Sequence, residues 1–163
     1  QAMTFISKAF DMNVIAWSEN LTSERAAEAG VGYVDKETLF READILSVHL
    51  LMSPRSKDMV GAAELALMKP SAYLVNSARG PIVNEAALLD ALENKLIAGA
   101  ALDVYDVEPL PVDHKLRKLD NVILTGHTGF VIREFHQLVY QQSEEDIQAW
   151  QTGNPLRLLN PTA

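Results

Sequence analysis

Three side chains of this 163-residue chain have the types that carbonyl chemistry needs. Arg79 lies in Ser77-Ala78-Arg79-Gly80-Pro81, a loop expected at the carboxyl end of a strand. A guanidinium there can grip a carboxylate through two parallel N–H···O bonds and polarise a neighbouring carbonyl. His127 sits between Gly126 and Gly129, where backbone can approach a ligand closely. An imidazole can pass a proton to a carbonyl oxygen or take one back. Glu108, in Glu108-Pro109-Leu110-Pro111, can orient such a ring and stabilise its charged form. Each residue also has a plainer reading: a solvated Arg, a capping His, and an acid in an Asp/Glu-rich loop. Residue type alone leaves both readings open. His114 and His136 read as exposed polar positions without a role.

The elements around these residues alternate. Residues 1–11 read as an amphipathic helix with Ala2, Phe5, Ile6, Ala9 and Phe10 on one face. Val14–Trp17 suits a short buried strand, and Thr22 or Ser23 can cap a helix over 23–29 that Gly30 ends. A weak strand at Val31–Val34 precedes a helix capped by Asp35 and reaching Ala43. A strand over 44–50, a helix from Gly61 to Met68 stopped by Pro70, and a strand at Ala72–Asn76 follow. Asn84 caps a helix to Asn94 with Ala87, Leu88, Ala91 and Leu92 on one face. Ile97–Leu102 and Asn121–Thr125 are the last strands, separated by an irregular segment and one helical turn. Residues 131–152 form the longest helix, with Val131, Phe135, Leu138, Val139, Ile147 and Trp150 turned inward and Gly153-Asn154-Pro155 ending it.

Short strands alternating with helices predict an α/β fold with a parallel, doubly wound sheet. In such sheets ligands bind beyond the carboxyl ends of the strands. Here those ends fall at Ser18, Leu50–Ser53, Ser77–Arg79, Asp103 and Gly126–His127.

Composition removes several alternatives. Fourteen Lys and Arg against 22 Asp and Glu give a net charge of −8, the wrong sign for gripping nucleic acid. No stretch is apolar for long enough to span a membrane, and no membrane partner is expected. The absence of Cys excludes disulfides, thiolate catalysis and zinc–thiolate sites, and fits a reducing cytoplasm. No His/Asp/Glu cluster has the spacing of metal ligands. Gln1–Phe10 lacks the charged start and apolar core of a signal peptide.

Four blocks resemble the D-isomer-specific 2-hydroxyacid dehydrogenases in order and spacing. They are Val75-Asn76-Ser77-Ala78-Arg79-Gly80, Ala100-Ala101-Leu102-Asp103-Val104-Tyr105, Glu108-Pro109-Leu110-Pro111 and Leu124-Thr125-Gly126-His127-Thr128-Gly129. Asp44–His49, Met59-Val60-Gly61 and Leu67-Met68-Lys69-Pro70 are similar to the same family between those blocks. The resemblance implies a Rossmann-like dinucleotide-binding domain over 1–130, and a C-terminal helix and tail over 131–163 returning toward a substrate domain. Family members are about twice as long, with a strand and a Gly-x-Gly-x-x-Gly turn before the segment matching Gln1. The expectation is therefore a chain truncated at its start, lacking that first strand and turn. Two sheet edges would then stand open, near Val14–Trp17 and Ile45–Val48, so the chain alone is expected to fold poorly.

The resemblance further implies hydride transfer between NAD, or NADP, and a small 2-hydroxy or 2-keto acid. Arg79, Glu108 and His127 match the family's catalytic set. The cofactor-binding set is Ser18, His49, Leu50, Ser53, Ser77, Ala78, Arg79, Asp103, His127 and Gly129, with Asp103 accepting from the nicotinamide carboxamide. Ser18 stands where an acid often holds the adenosine ribose; the adjacent Glu19 repels a 2′-phosphate, which favours NAD. Gly126 and Leu51 each replace a Pro common among relatives. A homodimer is implied for the intact parent. The alternatives are a non-catalytic remnant and a cofactor-sensing, corepressor-like interaction protein.

Overall fold

The computed structural model describes residues 2–159. Gln1 and residues 160–163, into which the expected first helix and the expected tail extend, lie outside the described residues. The chain divides into two compact units, one ending at Gly126 and the other beginning at His127.

The first unit alternates as expected. Its elements are α1 (Ala2–Ala9), β1 (Ile15–Ala16), α2 (Ser23–Glu28), β2 (Gly32–Tyr33), α3 (Lys36–Glu42), β3 (Ile45–Val48), α4 (Ala62–Leu67), β4 (Tyr73–Asn76), α5 (Glu85–Glu93), β5 (Gly99–Leu102) and β6 (Val122–Leu124). Short 3-10 turns occupy Gly80–Ile82 and Lys115–Lys118. Side chains placed for capping start the helices. Thr22, Asp35 and Asn84 accept from the N–H groups of Arg25, Thr38 and Ala87 at 3.3, 2.9 and 3.0 Å. Gly30, at φ 68°, takes the left-handed position that ends α2.

Every ladder is parallel. β1 pairs with β2, while β3, β4, β5 and β6 lie side by side in that order. Parallel neighbours place all their carboxyl ends on one edge of the sheet, which is where His49, Ser77 and Asp103 follow β3, β4 and β5. The period of two sends Leu46, Val48, Leu74, Ala100 and Leu102 into a core with Phe40, Leu65, Leu88 and Leu92 from α3, α4 and α5. Leu65, Leu74, Ile82, Leu92, Ile97 and Leu116 are fully buried. Each such side chain is worth about 2 kcal/mol of burial. The opposite face is more open, with Ile45, Tyr73 and Ile123 exposed.

β1 and β3 do not pair with each other, so both are sheet edges among the described residues. β1 and β2 are each two residues long, shorter than the apolar runs that contain them, because only those residues find ladder partners.

The second unit is the helix α6 (Arg133–Gln151), ended by Gly153 at φ 77°. Its expected inward face is a correction: no residue of α6 is buried, and Val131, Phe135, Leu138, Val139, Ile147 and Trp150 are all exposed, Trp150 by 74%. The same holds for α1, where Phe5 is 80% exposed. Helical periodicity reports that a face is apolar, and nothing in it supplies a partner. Among the described residues no helix is long and apolar enough to cross a membrane.

Candidate active site

The site begins at the end of β4. Asn76 is buried and folds the following loop around its own amide: Nδ2 donates to the Arg79 carbonyl at 3.0 Å, and Oδ1 accepts from the Ala78 N–H at 3.1 Å. Sequence reasoning assigned Asn76 no role; its signal is a lone amide closing an apolar strand. Ser77 and Arg79 are exposed and Ala78 is half-buried. The Arg79 guanidinium donates from Nη1 to the Ala78 carbonyl at 2.6 Å, and Arg79 opens the 3-10 turn at Gly80.

The end of β5 lies against this loop. The Asp103 N–H donates to the Asn76 carbonyl at 3.0 Å, continuing the ladder one step past Leu102. The Thr125 hydroxyl donates to the Asp103 carboxylate, which ties the ends of β5 and β6. A Cβ added to Gly80 would fall 2.1 Å from the Tyr105 carbonyl carbon, so two backbones touch where no side chain fits. Glu108 turns back on its own loop, its Oε1 accepting from the Tyr105 N–H at 2.9 Å ahead of a cis Glu108–Pro109 bond. Arg117 fastens the rest of this loop by donating to the carbonyls of Leu110 and Pro111, each at 2.8 Å.

Electrostatics near these loops are mostly acidic. Burial pushes the Asp106 carboxyl above its ordinary value, and Glu85 and Asp58 add to the shift. Burial likewise raises the Tyr105 phenol, helped by the Asp103 charge. His114, read as a bystander from sequence, is half-buried and 3.1 Å from Glu85 through Nε2, while its Nδ1 accepts from the Leu116 N–H at 3.3 Å. That corrects its placement as an exposed position, since Glu85 opens α5 beside it.

Of the remaining cofactor candidates in the first unit, His49, Leu50 and Ser53 follow β3, and Ser18 follows β1 of the two-stranded sheet. Exposed His49 follows β3 and meets the Ser47 hydroxyl at 2.9 Å. Beyond half-buried Leu50, Ser53 donates its N–H to Ser56 Oγ at 2.8 Å, and Ser56 caps the Leu51 carbonyl at 2.7 Å. Half-buried Ser18 follows β1 and starts the turn that Leu21 closes at 3.1 Å. Next to it, Glu19 pairs with Arg55 at 3.4 Å. That cation was missed in the sequence because it is 36 positions away. Among the described residues no group of three His, Cys, Asp or Glu side chains could hold a metal.

His127 and Gly129 belong to the second unit. His127 is half-buried, holds φ at 55°, and stands edge-on to Phe130 with ring centroids 5.8 Å apart. A non-glycine residue in this region is uncommon, and such residues cluster at functional sites.

Comparison with known proteins identifies the family. The model of the D-isomer specific 2-hydroxyacid dehydrogenase NAD binding domain matches residues 1–129. The chain is 40% identical over 156 residues to a glyoxylate reductase of Aeropyrum pernix, covering 95% of this chain and 47% of that protein. Among solved structures, a D-lactate dehydrogenase from Sporolactobacillus superposes with a TM-score of 0.84 at 35% identity, over 99% of this chain and 52% of the other. An NAD-complexed D-isomer specific 2-hydroxyacid dehydrogenase from Lactobacillus delbrueckii superposes with a TM-score of 0.80 at 34% identity, over 96% of this chain and 51% of the other. The chain spans less than half the length of the curated relatives it matches. On its sequence blocks, its parallel Rossmann-type sheet and this match, the chain belongs to the D-isomer specific 2-hydroxyacid dehydrogenase family, as its NAD-binding domain.

Proposed function

We propose that this chain supplies the NAD-binding part, and the substrate-facing Arg79, Glu108 and His127, of an enzyme that interconverts a small D-2-hydroxy acid and its 2-keto acid. Residues 1–130 form the dinucleotide-binding portion, and 131–163 lead toward a substrate domain. The observation that carries the reading is the backbone contact of Gly80 with Tyr105, which brings the loop of Arg79 against the loop of Glu108 at adjacent strand ends.

The residues at that edge suit a nicotinamide dinucleotide. The Asp103 carboxylate is an acceptor for an amide NH2, and Ser77 and Ala78 bring small side chains beside a flat ring. Ser18 offers a hydroxyl to the ribose, and His49, Leu50 and Ser53 follow the neighbouring strand end. Glu19 next to Ser18 bears a charge that opposes a 2′-phosphate, but Arg55 pairs with it at 3.4 Å, so the proposed cofactor is NAD with NADP also admitted. A nicotinamide held there would supply the hydride chemistry that interconverts a 2-keto acid and its 2-hydroxy acid.

Arg79 holds the substrate carboxylate through paired N–H···O bonds and polarises the adjacent carbonyl. His127 delivers a proton to the carbonyl oxygen as C2 is reduced, and removes it in the reverse direction. Glu108 orients that imidazole and stabilises its protonated form. The whole enzyme is proposed to be a cytoplasmic homodimer, and glyoxylate is the first substrate to test, because a relative bears that activity.

The test is NADH oxidation by glyoxylate or hydroxypyruvate, with cofactor binding measured separately by NADH fluorescence. Replacing His127 by Asn is expected to lower kcat about 10²–10⁴-fold while NADH binding stays within about twofold. Arg79→Lys is expected to raise the keto-acid KM and lower kcat together, because the paired geometry is lost. Full activity in His127→Asn would overturn the assignment.

A further inference from the structure

Tyr105 stands where three parts of the site meet, and the chemistry above gives it no task. Its N–H donates to Glu108 Oε1 at 2.9 Å, and its carbonyl lies against Gly80, the residue after Arg79. Its phenol is buried and enters the fork where β5 and β6 part: Oη is 3.0 Å from the Leu102 carbonyl and 2.7 Å from the Thr125 carbonyl. The ladder between these strands ends at that fork, with the Thr125 N–H donating to the Leu102 carbonyl at 3.0 Å. A phenol has one proton to give. The shorter contact places it on Thr125, so a side-chain hydroxyl acts as one more rung between the strands. Asp103 is one residue beyond the end of β5, and its carboxylate receives the Thr125 hydroxyl on the same pair of ends.

We propose that Tyr105 is a positioning residue whose phenol fixes the separation of the β5 and β6 carboxyl ends, and thereby the placement of Asp103 and of Thr125, two residues before His127. This role rests on the hydride-transfer reading. A ring without the hydroxyl keeps the packing, the Glu108 contact and the Gly80 contact, all of which involve the ring or the backbone. It loses only the rung.

The experiment is Tyr105→Phe in the intact enzyme that carries this chain, read by residue-resolved amide hydrogen exchange and by NADH-dependent turnover of glyoxylate. Exchange at the Asp103 and Thr125 amides is expected to quicken about tenfold, as expected when one hydrogen bond at a half-buried carbonyl is lost, with the β3 and β4 amides unchanged. Turnover is expected to fall about tenfold in kcat with the KM for NADH held. Unchanged exchange overturns the proposal, and so does uniform quickening across β3 to β6, which marks a purely structural phenol. Local quickening with undiminished kcat overturns it as well. If the unsubstituted intact enzyme neither binds NADH nor turns over, the hydride-transfer reading fails, and the exchange pattern still decides whether Tyr105 holds the fork.

Discussion

His127 keeps φ at 55° although it is not glycine. That conformation costs about 1–2 kcal/mol and persists where the surroundings enforce it. Gly80 presents the converse case, a glycine whose missing Cβ is filled by backbone. Of its three nearest atoms, the Tyr105 carbonyl carbon and oxygen and the Asp106 nitrogen, none can swing aside as a side chain would. In the intact enzyme, Gly80→Ala is therefore expected to cost about 3 kcal/mol and to lower Tm. Gly126→Ala, with nothing within 4 Å of the new methyl group, should stay within about 0.5 kcal/mol. Parallel thermal melts compare the two, and equal Tm values for both variants would remove the close-packing account.

Among the elements, α3 and α4 share an electrostatic tie. The Lys36 ammonium lies 2.7 Å from Glu64, and the second Glu64 oxygen accepts from the Gly61 N–H at 2.9 Å, where α4 begins. Burial pushes the Glu64 carboxyl up, but the Lys36 hydrogen bond and the Gly61 N–H outweigh it, and the native pKa lies below the ordinary 4.5. A depressed carboxylate stabilises the fold above its unfolded pKa, and that contribution disappears as pH falls through the native value. Both side chains are mostly covered, at 32% and 21% exposure, so the tie is worth about 1 kcal/mol. Glu64→Gln is accordingly expected to cost about 1 kcal/mol at pH 7 and progressively less below pH 4.5. Urea unfolding of the intact enzyme at a series of pH values measures it. A cost independent of pH would show that the charge carries none of the stability.

For the whole molecule, the unpaired edges of β1 and β3 combine with the exposed apolar faces of α1 and α6. Sheet edges pair with other chains, and apolar patches of this kind associate. At micromolar concentration the isolated chain is expected to self-associate and to lack a cooperative monomeric thermal transition, which sedimentation and calorimetry would detect. A monomer that melts in a single reversible step would contradict this. The acidic net charge of −8 opposes association at low salt, so added salt should enhance it.

The alternation of elements, the caps at Thr22, Asp35 and Asn84, and the strand ends that carry Arg79, Asp103 and Glu108 were legible in the chain. Each depends on neighbours within a few residues, or on a period that side-chain burial imposes. The bond of Asn76 to Arg79, the Glu19–Arg55 pair and the entry of Tyr105 into the β5–β6 fork were not. The β5–β6 pairing brings Tyr105 to the Thr125 carbonyl, packing between segments distant in the chain brings Arg55 to Glu19, and the amide of Asn76 acts only once its strand is buried. The apolar stripes on α1 and α6 were equally visible, but their exposure was decided by what packs against them. Local sequence determined which groups this protein can offer, and the parallel register of β3 to β6 determined which of them share an edge. Periodicity describes one element at a time, whereas proximity is a property of several packed together.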